Sequence, residues 1–175
     1  MNNIKISLIG YMGSGKTSTG RLISEKMNLD FFDLDEEIEK KHQKTISEIF
    51  QKNGQIKFRK IEKEMLNELL NSDKSMVLSL GGGTPAYYDN MDVINKHSVS
   101  FYLRHNLKTL SERLINQKEN RPLIAHLNSE EMNEFIAKHL FERRNFYEKA
   151  NYIINASDKD INKLSEEIIR LLHQT

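Results

Sequence analysis

Short apolar runs alternate with longer stretches of helical periodicity along this chain. Residues 4–9, 29–32, 76–80, 99–103 and 152–155 form the short runs, and their length and composition predict five strands. Between them, Ile61, Met65 and Leu69 recur at helical spacing within 55–70, as do Leu107, Leu110 and Leu114 within 107–115. These stripes are read as core-facing helix faces. Strands alternating with helices predict an α/β fold with a parallel sheet. The longest runs are apolar at successive positions, as expected for strands covered by helices above and below. Ser79 is the polar exception in its run. Asn128 with Glu131 three residues later predicts a capped start for a helix running toward Lys149, and Asp158 or Asp160 is placed to cap the last helix. Residues 117–128 are polar, contain Arg121-Pro122 and break the helical pattern, which marks them as the mobile piece.

Composition narrows the class without naming a chemistry. A length of 175 residues fits one domain with its own core. The 26 basic and 25 acidic residues leave a formal charge of +1, so no bulk field favours nucleic acid or an anionic membrane. With no cysteine, disulfides and thiolate metal sites are excluded. No apolar run approaches the roughly 20 residues needed to span a bilayer, and no signal-peptide pattern opens the chain. A cytoplasmic protein is the expectation.

The candidate chemistry begins directly after the first strand. Gly10-Tyr11-Met12-Gly13-Ser14-Gly15-Lys16-Thr17 is a complete G-x-x-x-x-G-K-[ST] loop, followed by a helical stretch over 18–27. Such glycines let backbone N–H groups turn onto phosphate oxygens, with Lys16 as cation for the β and γ phosphates and Thr17 as hydroxyl for Mg²⁺. The helix behind it points its positive end at the anion.

Four further groups accompany the loop. Asp33 and Asp35 stand two residues apart at the end of the second strand; they are placed either to serve metal and acceptor at the sheet edge or to cap the helix beginning near Glu36. Gly81-Gly82-Gly83 follows the third strand and reads as a backbone surface for a ligand or as a tight turn. Arg59, with Glu62 three residues on, reads as a solvent-exposed ion pair or as a fork for a carboxylate. Arg121 is positioned to meet charge on a transferred phosphoryl group if its segment closes as a lid. The six histidines show no metal-ligand spacing, and Tyr147 reads as a packing aromatic.

Together these marks resemble the shikimate kinase family of P-loop small-molecule kinases, related to nucleoside monophosphate kinases. Carrying the resemblance are residues 10–17, Phe32-Asp33-Leu34-Asp35, Ile46-Ser47-Glu48-Ile49-Phe50, Phe58-Arg59 with Glu62, residues 78–83, Arg121-Pro122-Leu123, and Arg143 ahead of Tyr147. The resemblance implies a three-layer P-loop kinase fold over residues 1–175, with a five-stranded parallel sheet in the order 2-3-1-4-5, an acceptor region near 33–62 and a lid near 113–128. It also implies Mg²⁺- and ATP-dependent phosphorylation of the shikimate 3-hydroxyl, on the route to chorismate and the aromatic amino acids, by a monomer.

By matching positions, Gly13, Ser14, Gly15, Lys16, Thr17 and Ser18 would hold ATP, with Arg113 beside the adenine and Arg121 at the transition state. Thr17 and Asp33 would serve Mg²⁺, and Asp35 the attacking hydroxyl. Arg59, Arg143 and the backbone of Gly81, Gly82 and Gly83 would bind shikimate. Leu34, Gln43 and Gln55 depart from the common pattern without removing a chemical group. The segment after Arg143 is one residue short, which leaves Arg144 as the competing carboxylate ligand; the four-residue interval to Tyr147 favours Arg143. A gluconate-kinase-like enzyme and a nucleotide-binding regulator without turnover are the competing functions.

Overall fold

The computed structural model describes residues 3–118 and 124–174. Its elements run β1 (Lys5–Ile9), α1 (Lys16–Met27), β2 (Asp30–Asp33), α2 (Leu34–His42), α3 (Ile46–Asn71), β3 (Met76–Ser79), a 3₁₀ turn (Thr84–Ala86), α4 (Asn90–His97), β4 (Val99–Arg104), α5 (Leu107–Ile115), α6 (Ser129–Tyr147), β5 (Tyr152–Asn155) and α7 (Ile161–Leu172). The five strands form one parallel sheet in the order β2-β3-β1-β4-β5.

Alternation along each strand explains the layers. Ile6, Leu8, Val77, Phe101, Leu103 and Ile154 pack on one side with Ile23, Leu164 and Ile168 of α1 and α7. Ile9, Met76, Leu78 and Tyr102 pack on the other with residues of α2, α3, α4 and α6. A third cluster joins Tyr11 to Leu110, Leu114, Ile124, Met132 and Ile136, seating α5 and α6 beside the first loop. All strands therefore end at the edge where β1 feeds α1, the edge at which open α/β sheets place ligands.

Local signals fix most boundaries. Asn128 accepts from the N–H groups of Glu130 and Glu131 while Glu131 reaches back to Asn128, a complete capping box. Asp160, rather than Asp158, caps α7 through Lys163 N–H. The predicted helix over 55–70 is the second part of α3; its first part begins at Ile46, where Thr45 and Glu48 form another capping box. Gly54, at φ 72° and ψ 172°, breaks that element, and this left-handed backbone is where glycine is favoured.

Candidate active site

The loop after β1 wraps its own lysine. Lys16 Nζ donates to the carbonyls of Gly10 and Tyr11, both at 2.9 Å, and lies 3.4 Å from Ser14 Oγ. Gly13 and Gly15 take φ of 77° and 83°, which a side chain resists. A cavity of about 460 Å³ opens in front of this loop. Gly13, Gly15, Lys16, Thr17 and Ser18 line it on one side and Asp33, Asp35, Ser79, Gly81 and Gly82 on the other, with Arg113 and Gln117 at its margin. Ser14 is buried beneath the loop. Arg113 Nη1 donates to Gly13 O at 3.2 Å.

The two aspartates do not share a strand face. β2 ends at Asp33, whose carboxylate accepts Asp35 N–H and so starts α2; Asp35 rises from the first helical turn. Asp33 both caps and faces the loop, since Oδ2 accepts from Thr17 Oγ1 at 2.9 Å. Ser79 Oγ lies 3.4 Å from the same hydroxyl. This serine escaped assignment from sequence, although its polarity within an apolar strand was the signal. Thr17, Asp33 and Ser79 thus present hard oxygen donors beside the loop, a set suited to Mg²⁺ that keeps water and phosphate ligands. No group of three or more His, Asp or Glu side chains forms a metal cage among the described residues.

Burial raises the Asp35 carboxyl to about 7, reinforced by Asp33 and Glu62 and opposed by Lys16 and Arg59. A carboxyl that titrates there can take a proton near neutrality.

Arg59 and Glu62 are not a solvated pair. Their side chains are 12% and 1% exposed, with Nη1 and Oε2 2.7 Å apart. Glu62 Oε1 accepts from Thr84 Oγ1 at 2.6 Å, and the guanidinium stacks 4.1 Å from the Tyr87 ring and 5.1 Å from Phe58. Aromatic cover excludes water from the pair, which the helical spacing alone could not reveal. Arg59 Nε has no hydrogen-bond partner.

The three glycines serve close approach. None has positive φ. A Cβ on Gly81 would come within 3.2 Å of Asp35 Oδ1 and Glu62 Oε1, one on Gly82 within 3.6 Å of Arg143 Nη1, and one on Gly83 within 2.5 Å of Arg59 Nη2. Arg59 and Arg143 therefore stand against the glycine turn rather than on the cavity wall. Tyr147, also buried, donates its hydroxyl to Gly82 O; burial pushes that phenol up to about 12 although Arg143 pulls it down. Arg144 points elsewhere: it is 70% exposed, pairs with Glu148 at 2.7 Å, and borders a separate groove with Phe141 and Tyr102. Arg121 lies outside the described residues, with Pro122 and Leu123. Ile124, at the far side of that segment, is buried against α5 and α6.

The sheet order, the phosphate loop and the facing carboxylates define a P-loop kinase of the small-molecule class. The sequence profile of shikimate kinases matches residues 12–173. A shikimate kinase from Flavobacterium psychrophilum is 46% identical over 169 residues, covering 96% of this chain and 98% of that protein. The crystal structure of the shikimate kinase from Bacteroides thetaiotaomicron superposes with a TM-score of 0.92 at 36% identity, covering 97% of this chain and 98% of that one. The shikimate kinase from Acinetobacter baumannii in complex with shikimate gives 0.89 at 32% identity, covering 99% and 94%. This chain belongs to the shikimate kinase family.

Proposed function

We propose that this protein transfers the γ-phosphoryl group of ATP to the 3-hydroxyl of shikimate, giving shikimate 3-phosphate and ADP. The observation that carries the reading is the meeting, across one 460 Å³ cavity, of the phosphate loop with Asp35 and the Gly81–Gly82 turn, against which two arginines stand. Membership of the shikimate kinase family supports the choice of acceptor, as does the relative that holds shikimate.

In this reading Gly13, Ser14, Gly15 and Ser18 cradle the phosphates, and Lys16 leaves its loop carbonyls for the β and γ oxygens. Thr17 and Asp33 would hold Mg²⁺, with Ser79 beside them, and the ion would supply charge neutralisation to the phosphate oxygens. Arg59 and Arg143 fork onto the shikimate carboxylate, and the Gly81–Gly83 backbone lines the ring's berth. Asp35 accepts the hydroxyl proton as the new O–P bond forms and the bond to the ADP oxygen breaks. Positioning and charge stabilisation supply most of the acceleration. Arg113 borders the nucleotide, and Arg121 approaches the transferring group from a lid spanning 113–128. The chain acts as one domain and as a cytoplasmic monomer in chorismate and aromatic amino-acid biosynthesis. Among the described residues no helix is long and apolar enough to cross a membrane.

A coupled assay of ADP release with and without shikimate tests the reading. Turnover that needs both shikimate and Mg²⁺ is expected; preference for gluconate, or nucleotide binding without phosphoryl transfer, would overturn it.

A further inference from the structure

The phosphate loop is supported from behind by a histidine that the chemistry above does not use. His105 follows β4 and is 5% exposed. Its Nε2 lies 3.0 Å from Ser14 O, and because a carbonyl only accepts, Nε2 carries the hydrogen. Nδ1 is buried without a partner. Burial, with Arg113 and Lys16 nearby, drives the imidazole down to about 4, so the ring is neutral and Nδ1 is bare at neutral pH.

In a planar trans peptide the C=O and N–H point in opposite directions. There is no cis bond among the described residues, so fixing Ser14 O on His105 turns Gly15 N–H away from His105. Gly15 lines the cavity, and its left-handed backbone leaves that peptide plane free to rotate unless something holds it. The preceding peptide is held in the same way, with Arg113 on Gly13 O and Ser14 N–H on Tyr11 O at 3.2 Å.

We propose that His105 is a positioning residue for the phosphate loop: it pins the Ser14 carbonyl and thereby presents Gly15 N–H to a nucleotide phosphate before the nucleotide arrives. The gain is preorganisation, since the peptide plane need not be ordered on binding. A neutral ring performs this without placing a third cation beside Lys16 and Arg113. The proposal rests on the nucleotide-binding reading of the loop.

Titration of the full chain with MgADP, and separately with shikimate, tests it. His105→Leu removes the donor and is expected to weaken MgADP about fivefold, the worth of one net hydrogen bond, with shikimate affinity unchanged. His105→Gln places an amide N–H near the lost Nε2–H and should restore MgADP affinity to within about twofold of the parent. His105→Asn is too short to reach Ser14 O and should bind as weakly as the leucine variant; if leucine prevents folding, the Gln and Asn pair carries the comparison. Equal MgADP affinity in parent and leucine variant overturns the brace, as does failure of glutamine to exceed asparagine. A parallel fall in shikimate affinity would show a general packing role and overturn it too. If the parent itself binds no MgADP, the nucleotide reading fails instead, which separates the two ideas.

Discussion

Glu62 holds Arg59 through Oε2 at 2.7 Å while its Oε1 accepts the Thr84 hydroxyl at 2.6 Å. One buried carboxylate thus orients the arginine and fastens the turn that follows the three glycines. Glu62→Gln can keep both contacts, its oxygen accepting from Arg59 and its amide N–H donating to the Thr84 hydroxyl, but it removes the carboxylate charge that holds the guanidinium. Shikimate binding should weaken by about tenfold with MgADP binding unchanged, measured by calorimetry. Glu62→Ala removes both bonds and leaves Arg59 uncompensated, and should cost about 3 kcal/mol by denaturant titration. Parent-like shikimate affinity in both variants would contradict the orienting role.

Asp35 should show itself in two pH profiles. As the general base it must be ionised, so kcat/KM should rise through about pH 7, the value to which burial and neighbouring carboxylates lift it, and Asp35→Asn should lower turnover by about 10²–10⁴-fold. Stability runs the other way. The folded chain keeps a proton that the unfolded chain releases near pH 4, so the stability tied to this group is complete below about 4 and is lost as pH rises to about 7. Asp35→Asn removes the buried charge; its melting temperature should exceed the parent's at pH 8 and approach it at pH 4. Equal differences at both values would place the perturbed titration elsewhere.

The five strands were legible because each apolar run is short and bounded, and the Asn128–Glu131 capping box and the phosphate loop are local patterns. What escaped depended on long-range contact. The spacing of Arg59 and Glu62 is the same for a solvated pair and a buried one; Tyr87, Thr84 and Gly83 decide between them. For the aspartate pair the sequence offered capping or a role at the sheet edge, and only the fold shows that Asp33 does both, capping α2 while its Oδ2 accepts from Thr17, 16 positions away. His105 carried no motif at all, because its partner is a backbone carbonyl 91 positions away.

Gly83 offers a steric test of the carboxylate clamp. Its φ of −92° is available to any residue, so Gly83→Ala strains no backbone, yet the methyl would lie 2.5 Å from Arg59 Nη2 and 3.0 Å from Cζ. The guanidinium must shift, and its bond to Glu62 shifts with it. Shikimate affinity should fall about tenfold or more, and stability by about 1–3 kcal/mol, the usual cost of overpacking. Gly82→Ala meets no protein atom closer than 3.4 Å and should be milder on stability. The reverse order would mean that Arg59 is not the group the turn accommodates.

The adjacent arginines of α6 allow the sharpest comparison, because they share a helix and a charge but not a surface. Arg143 lies 5.6 Å from the Tyr11 ring centroid and against Gly82, where Tyr147 fastens the same glycine's carbonyl. Arg144 is exposed and tied to Glu148, a surface pair that solvent screens and that adds little. Arg143→Ala should therefore raise the shikimate Kd by about 10²-fold, the order expected for losing a charge-assisted fork, while leaving MgADP affinity within about threefold. Arg144→Ala should leave both ligands unaffected. Arg143→Lys discriminates charge from geometry: an ammonium keeps the charge without the planar fork, so it should recover only part of the lost affinity. Full recovery would reduce Arg143 to a point charge, and a larger loss at Arg144 than at Arg143 would move the carboxylate to the other face of the helix.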